Sequence, residues 1–166
     1  MFIERVCIAT DGSDLAVRAA QMGALLARSG AGYIVAVSVA QPCFSMRDSA
    51  AAMPDAQAEL TRAREAALAH VDTVARIAGS NGISCEVVTP LSTAPGPEII
   101  RVAQEYGCDL IVMGTHGPND ANKLFAGSVA QHVLANSHIP VLLLRDPRDP
   151  MPPDFPELPR ASEEPK

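Results

Sequence analysis

None of the four cysteines (Cys7, Cys43, Cys85 and Cys108) stands in a C-x-x-C pair. That spacing underlies zinc sites and dithiol redox motifs, so neither is expected, and scattered thiols suit a reducing compartment. Positive charge is also scarce, with 13 Lys and Arg against 19 Asp and Glu and a net charge of −6. Such a surface offers no general attraction to nucleic acid or to an anionic membrane. An anionic ligand must then be held by a local device, such as backbone N–H groups or a few placed cations. No apolar run approaches the roughly 20 residues that a membrane-spanning helix needs. The opening, Met1-Phe2-Ile3-Glu4-Arg5, runs straight into a strand-like segment and leaves no room for a secretory leader. The expected location is the cytoplasm.

Familiar nucleotide signatures are missing as well. There is no G-x4-G-K-(S/T) loop, and no G-x-G-x2-G follows the first strand. A glycine-rich S-G-G-x-D-S pyrophosphate loop is excluded by Thr10-Asp11-Gly12-Ser13-Asp14, which puts a carboxylate where bare backbone is required. A phospho-receiver domain wants an aspartate closing strand 3 and a lysine closing strand 5. Here those places hold Thr89-Pro90 and Leu144-Arg145.

What is present is an alternation of hydrophobic periods. At 166 residues and 48% hydrophobic, the chain is the size of one domain with a substantial core. Strand-like runs occur at 5–10, 33–39, 83–88, 109–114 and 139–144. The continuous apolar run at 33–39 suits a strand covered on both faces. Helical periods lie between the runs. The first is capped by Ser13 or Asp14 and carries Leu15, Ala19, Met22 and Leu26 inside. The second runs from about 55 to 79, with Leu60, Ala67, Val71, Val74 and Ala78 inside. The third starts near Pro97, with Ile99, Val102, Ala103 and Tyr106, and stops at Gly107. The fourth opens at Gly127-Ser128, with Val129, Val133 and Leu134 inside. A connection without period spans 41–54, long enough to be mobile or functional. This order predicts an α/β, Rossmann-like, doubly wound five-stranded parallel sheet with helices on both faces, over residues 1–145. Seven of the 14 prolines fall from Asp146 onward, so 146–166 reads as a flexible Pro-rich acidic tail whose deletion from Pro147 should be nearly neutral.

Ligands of open parallel sheets bind at the carboxyl ends of strands, where connections change face. Strand 1 ends on Thr10, Asp11, Gly12 and Ser13, strand 2 on Val39, and strand 4 on Met113-Gly114-Thr115-His116-Gly117. Gly114 and Gly117 let backbone N–H groups converge on an anion, and Gly127-Ser128 opens a helix whose free amides also favour phosphate. The competing reading is that these glycines only punctuate turns and Ser128 is a simple cap. His116 invites a catalytic role, but without a paired carboxylate motif the expectation is a solvated ring that contributes backbone alone. His70, His132 and His138 are too dispersed for metal ligation. Cys7 and Cys108 read as buried small hydrophobes.

Gly114-x2-Gly117-x9-Gly127-Ser128 resembles the ATP-binding signature of the universal stress protein family, G-x2-G-x9-G-(S/T). Asp109–Gly114 before it, the segment through Ile139–Arg145 after it, and Val6–Ser13 at the start match as well. The resemblance covers about Arg5 to Arg145. It implies ATP, or ADP or AMP, as ligand, with Mg²⁺ carried on the phosphates. Gly114, Gly117, Gly127 and Ser128 would contact phosphates and ribose, with Val129 and Ala130 adding helix amides and Met113 and His116 on the same wall. Val39 would present backbone to the adenine edge. Thr10 and Asp11 would lie near the ribose or the nucleotide-bound Mg²⁺. Pro118 replaces a frequent basic residue and Asp120 a frequent glycine, while Lys123 keeps a basic position. Two functions are compatible with this: a nucleotide-binding stress-response or signalling module with slow or no hydrolysis, or a dimeric protein-interaction module in which nucleotide is structural or absent. An apolar strand at 139–144, placed at the sheet edge, implies a homodimer.

Overall fold

The computed structural model describes residues 3–28, 32–42, 53–117 and 126–149. The elements are β1 (Arg5–Ala9), α1 (Asp14–Arg28), β2 (Tyr33–Val37), α2 (Met53–Ser80), β3 (Ser84–Val88), α3 (Pro95–Glu105), β4 (Leu110–Gly114), α4 (Ser128–Asn136) and β5 (Val141–Leu144). The five strands form one parallel sheet in the order β3-β2-β1-β4-β5. The expected doubly wound α/β sheet is therefore the fold. Alternation along β1 divides the core: Val6 and Ile8 pack with α1 and α2, while Cys7 and Ala9 pack with α3 and α4. Cys7 and Cys108 are both buried. The hydrogen bond to Cys108, together with burial, pushes the Cys7 thiol well up, so it is inert near neutral pH.

The inner face of α1 differs from expectation. Its buried residues are Ala16, Ala19, Ala20, Gly23, Ala24 and Ala27, whereas Met22 is 40% exposed and Leu15 and Leu26 are half-buried. Small residues bring the helix close to the sheet: a Cβ on Gly23 would lie 2.7 Å from Ile8 Cδ1. The larger side chains occupy the flank. On α4, Ala130 and Val133 are buried, but Leu134 is exposed rather than inside. Helix α2 begins at Met53, two residues earlier than its period suggested, and most of the connection before it lies outside the described residues. Gly107, at φ 61°, closes α3 as expected. Strand β5 starts two residues late because Pro140 has no N–H to give the ladder, though its carbonyl accepts from the Ile111 amide at 2.9 Å. Alternation of exposure is absent from β4, whose first four residues are all buried, as befits a central strand.

The chain leaves β1 for β2 and β3 on one side, then returns past β1 to β4 and β5 on the other. The carboxyl ends of β1 and β4 thus form the switch point where a crevice opens.

Candidate nucleotide site

At the end of β1 the chain is folded on itself by short-range bonds. Thr10 Oγ1 accepts from the Gly12 amide at 3.2 Å, and Asp11 Oδ1 accepts from the Ser13 amide at 2.9 Å. Ser13 is the cap of α1: its Oγ accepts from the Ala16 amide and its carbonyl from the Val17 amide. Gly12 has φ 78°, and a Cβ there would lie 2.3 Å from Cδ2 of His70. The ring of His70, from α2, rests on this bare backbone, with Nδ1 3.1 Å from Ser38 Oγ. Gly12→Ala should cost about 1–2 kcal/mol from the left-handed backbone alone. His70→Ala in the same chain should relieve only the added clash. Thermal melts of the two variants and their combination measure both parts, and equal losses for Gly12→Ala with and without His70 would show that the ring contact is immaterial.

Beyond β2 the chain stays extended along β3. The Ser38 amide donates to the Val88 carbonyl, the Ala40 amide to that of Pro90, and the Ala40 carbonyl accepts from Ser92. Backbone groups of successive extended residues point to opposite edges. Val39, lying between them, therefore turns its N–H and C=O toward the β1 side and the crevice.

At the end of β4, the Thr115 amide donates to the Leu144 carbonyl at 2.8 Å. The Thr115 carbonyl accepts from the Gly127 amide at 2.7 Å, so both ends of the intervening loop are tied together. Pro118, Asp120 and Lys123 lie outside the described residues. Gly127 caps α4 with φ −63° and ψ 165°, no side chain among the described residues bonds the first amides, and the first turn holds no acid. The opening amides of α4 are left to a ligand or to water.

These three strand ends enclose a cavity of about 470 Å³. Every residue singled out from the sequence lines it: Thr10, Asp11, Val39, Met113, Gly114, His116, Gly117, Gly127, Ser128, Val129 and Ala130. Sequence reasoning missed Ser38, Gln41, Ala67 and His70 from the β2–α2 side, and Pro95 and Ile99 from α3. His70 lies three residues after Ala67 and one before Val71, so the inner stripe of α2 carried a usable signal. No lysine or arginine appears among the described lining residues, and Asp11 is their only carboxylate. Among the described residues there is no cluster of His, Cys, Asp and Glu able to hold a metal by itself.

His116 departs from expectation. Its ring is buried, its Nδ1 is 2.9 Å from Thr115 Oγ1, and Asp149 Oδ2 stands 3.7 Å from the same nitrogen. The missing carboxylate partner comes from beyond β5, far away in sequence.

A model of the universal stress protein family matches residues 3–145. The chain belongs to the universal stress protein family. A universal stress protein from Thermus aquaticus is 32% identical over 143 residues, covering 84% of this chain and 97% of the relative. The solved structure of MJ0577, a universal stress protein of Methanocaldococcus jannaschii, superposes with a TM-score of 0.74 at 20% identity, covering 88% of this chain and 98% of that one. A universal stress protein solved in complex with cAMP gives a TM-score of 0.65 at 26% identity, covering 87% and 99%. This universal stress protein thus shares both fold and extent with its relatives, up to the end of β5. Among the described residues no helix is long and apolar enough to cross a membrane.

Proposed function

We propose that this universal stress protein binds an adenine nucleotide, ATP with Mg²⁺ or ADP or AMP, and serves as a cytoplasmic stress-response module with slow or no hydrolysis. The observation that carries this reading is the convergence of the β1, β2 and β4 ends with the uncapped start of α4 on one cavity. Its volume of about 470 Å³ lies within the range of small-ligand sites, roughly 300–1,000 Å³. Phosphates would be held by backbone amides at Gly114, Gly117 and Ser128 to Ala130, with little call for positive side chains. Adenine would lie toward Val39, whose backbone faces the crevice. Mg²⁺ would ride on the phosphates, since a single carboxylate, Asp11, fits an ion that keeps waters and takes one or two protein ligands. The cAMP complex of a relative supports an adenine nucleotide as the ligand class. Nucleotide released by heat from freshly purified protein, identified by chromatography, tests the reading. Protein that emerges empty and shows no calorimetric binding of AMP or MgATP would favour the second reading, a dimeric protein-interaction module.

Slow hydrolysis follows from what the wall lacks. No arginine or lysine among the described lining residues can neutralise a transferring phosphoryl group. Asp11 already accepts the Ser13 amide, and His116 Nδ1 is hydrogen-bonded to Thr115 with the Asp149 carboxylate 3.7 Å away. Turnover should fall well below the 1–10³ per second typical of enzymes. Phosphate release within that range by purified protein would contradict this.

A further inference from the structure

The chain does not leave the domain at Arg145. Residues 146–149 form a turn closed by their own bonds: the Arg148 guanidinium grips both oxygens of Asp146 at 2.9 and 2.6 Å, and the Arg148 and Asp149 amides donate back to Asp146. The Arg148 hydrogen bonds hold the Asp146 carboxyl far below the usual carboxylate range. The turn offers no apolar side chain to the core, its Pro147 being exposed, yet the Asp149 side chain is only 6% exposed. A buried carboxylate is costly unless it is paired. Asp149 sits behind His116, whose ring, 3% exposed, lines the nucleotide cavity. Thr115 is hydrogen-bonded to Nδ1 and the Asp149 carboxylate stands 3.7 Å from the same atom, so both contacts lie on one edge of the ring and Nε2 is on the other.

We propose that Asp149 is a positioning residue of the nucleotide site: standing against His116, it presets the cavity wall and couples docking of the 146–149 turn to nucleotide occupancy. The proposal rests on the adenine-nucleotide reading above. A preset wall binds more tightly because less ordering remains to be done. Coupling is reciprocal, so bound nucleotide must hold the turn in place as strongly as the turn favours nucleotide. Deletion from Pro147, expected to be nearly neutral from sequence, would then weaken binding because it removes Asp149.

The test compares full-length wild type, Asp149→Asn and, as a control beyond the turn, Asp154→Asn. AMP and MgATP are titrated calorimetrically after melting curves confirm folding. Asp149→Asn should bind about tenfold more weakly, and Asp154→Asn as wild type does. The side-chain nitrogen resonances of His116 should shift in Asp149→Asn while those of His70, His132 and His138 stay. Trypsin cleavage after Arg148 should be slowed by AMP in wild type and not in Asp149→Asn. A folded Asp149→Asn protein with unchanged affinity and unchanged His116 resonances would overturn the positioning role while leaving nucleotide binding intact. Wild type that binds neither nucleotide would bring down both.

Discussion

Gly127→Val should abolish adenine-nucleotide binding while the protein stays folded. Gly127 has φ −63° and ψ 165°, an extended conformation open to any residue, so valine introduces no backbone strain. The loss of a glycine cap costs the helix at most about 1 kcal/mol. Binding is another matter. The branched side chain would stand in front of the amides of Ser128, Val129 and Ala130, which line the cavity and have no side-chain cap. An anion can approach those amides only where no Cβ intervenes. Affinity should fall by at least about a hundredfold, equivalent to about 2.7 kcal/mol. Gly114→Ala is a milder comparison, because its Cβ would meet Leu15 at 3.1–3.2 Å and disturb packing between β4 and α1. Calorimetry on folded Gly127→Val protein decides the matter, and an unchanged dissociation constant would rule out the α4 amides as the anion site.

The parts of this site that were legible in the sequence are those made of backbone. Gly114, Gly117 and Gly127 owe their places on the cavity wall to spacing and to the strand and helix that flank them, and both are local properties. The strand ends follow from abrupt changes in hydrophobic period, which is why Thr10, Asp11 and Val39 were found. The missed residues reach the site across the fold. His70 arrives from the middle of α2 to rest on Gly12, and only the packing of α2 beside α1 brings them together. Asp149 reaches His116 through a turn with no hydrophobic period, held by charges and backbone bonds that leave no pattern. The misreading of α1 has a different cause. Seeking large apolar residues every third or fourth position selects Leu15, Met22 and Leu26, but close approach to a sheet is set by the smallest residues, here Ala and Gly23.

We propose a homodimer paired along β5, which Leu142→Lys with Leu144→Lys should convert into a monomer. β5 is an edge strand, and all four of its residues are only half-buried. The carbonyls of Pro140 and Leu144 accept from Ile111 and Thr115 of the β4 side, so alternate residues point the other way. The backbone groups of Val141 and Leu143 therefore face the free edge. Two copies about a twofold axis can pair these edges antiparallel, a closed and self-complementary assembly. Four-residue strands alone bury too little, since stable interfaces cover about 1,200–2,000 Å². The helices packed on β5 supply more: α1 carries Met22 at 40% exposure and α4 carries Leu134 at 56%. The exposure of Leu134, surprising on an isolated domain, suits a residue covered by a partner. A tail folded back along β5 would instead leave a monomer, but the described part of it, 146–149, turns toward His116. Lysine on an edge strand opposes pairing through charge and the cost of desolvation. Because Leu142 and Leu144 also pack against the core on the α1 side, Leu134→Lys, on an exposed site, serves as the companion variant expected to weaken association without loss of fold. Light scattering at micromolar concentration measures the outcome: a wild-type monomer mass, or a dimer that survives both sets of substitutions, would exclude the β5 interface.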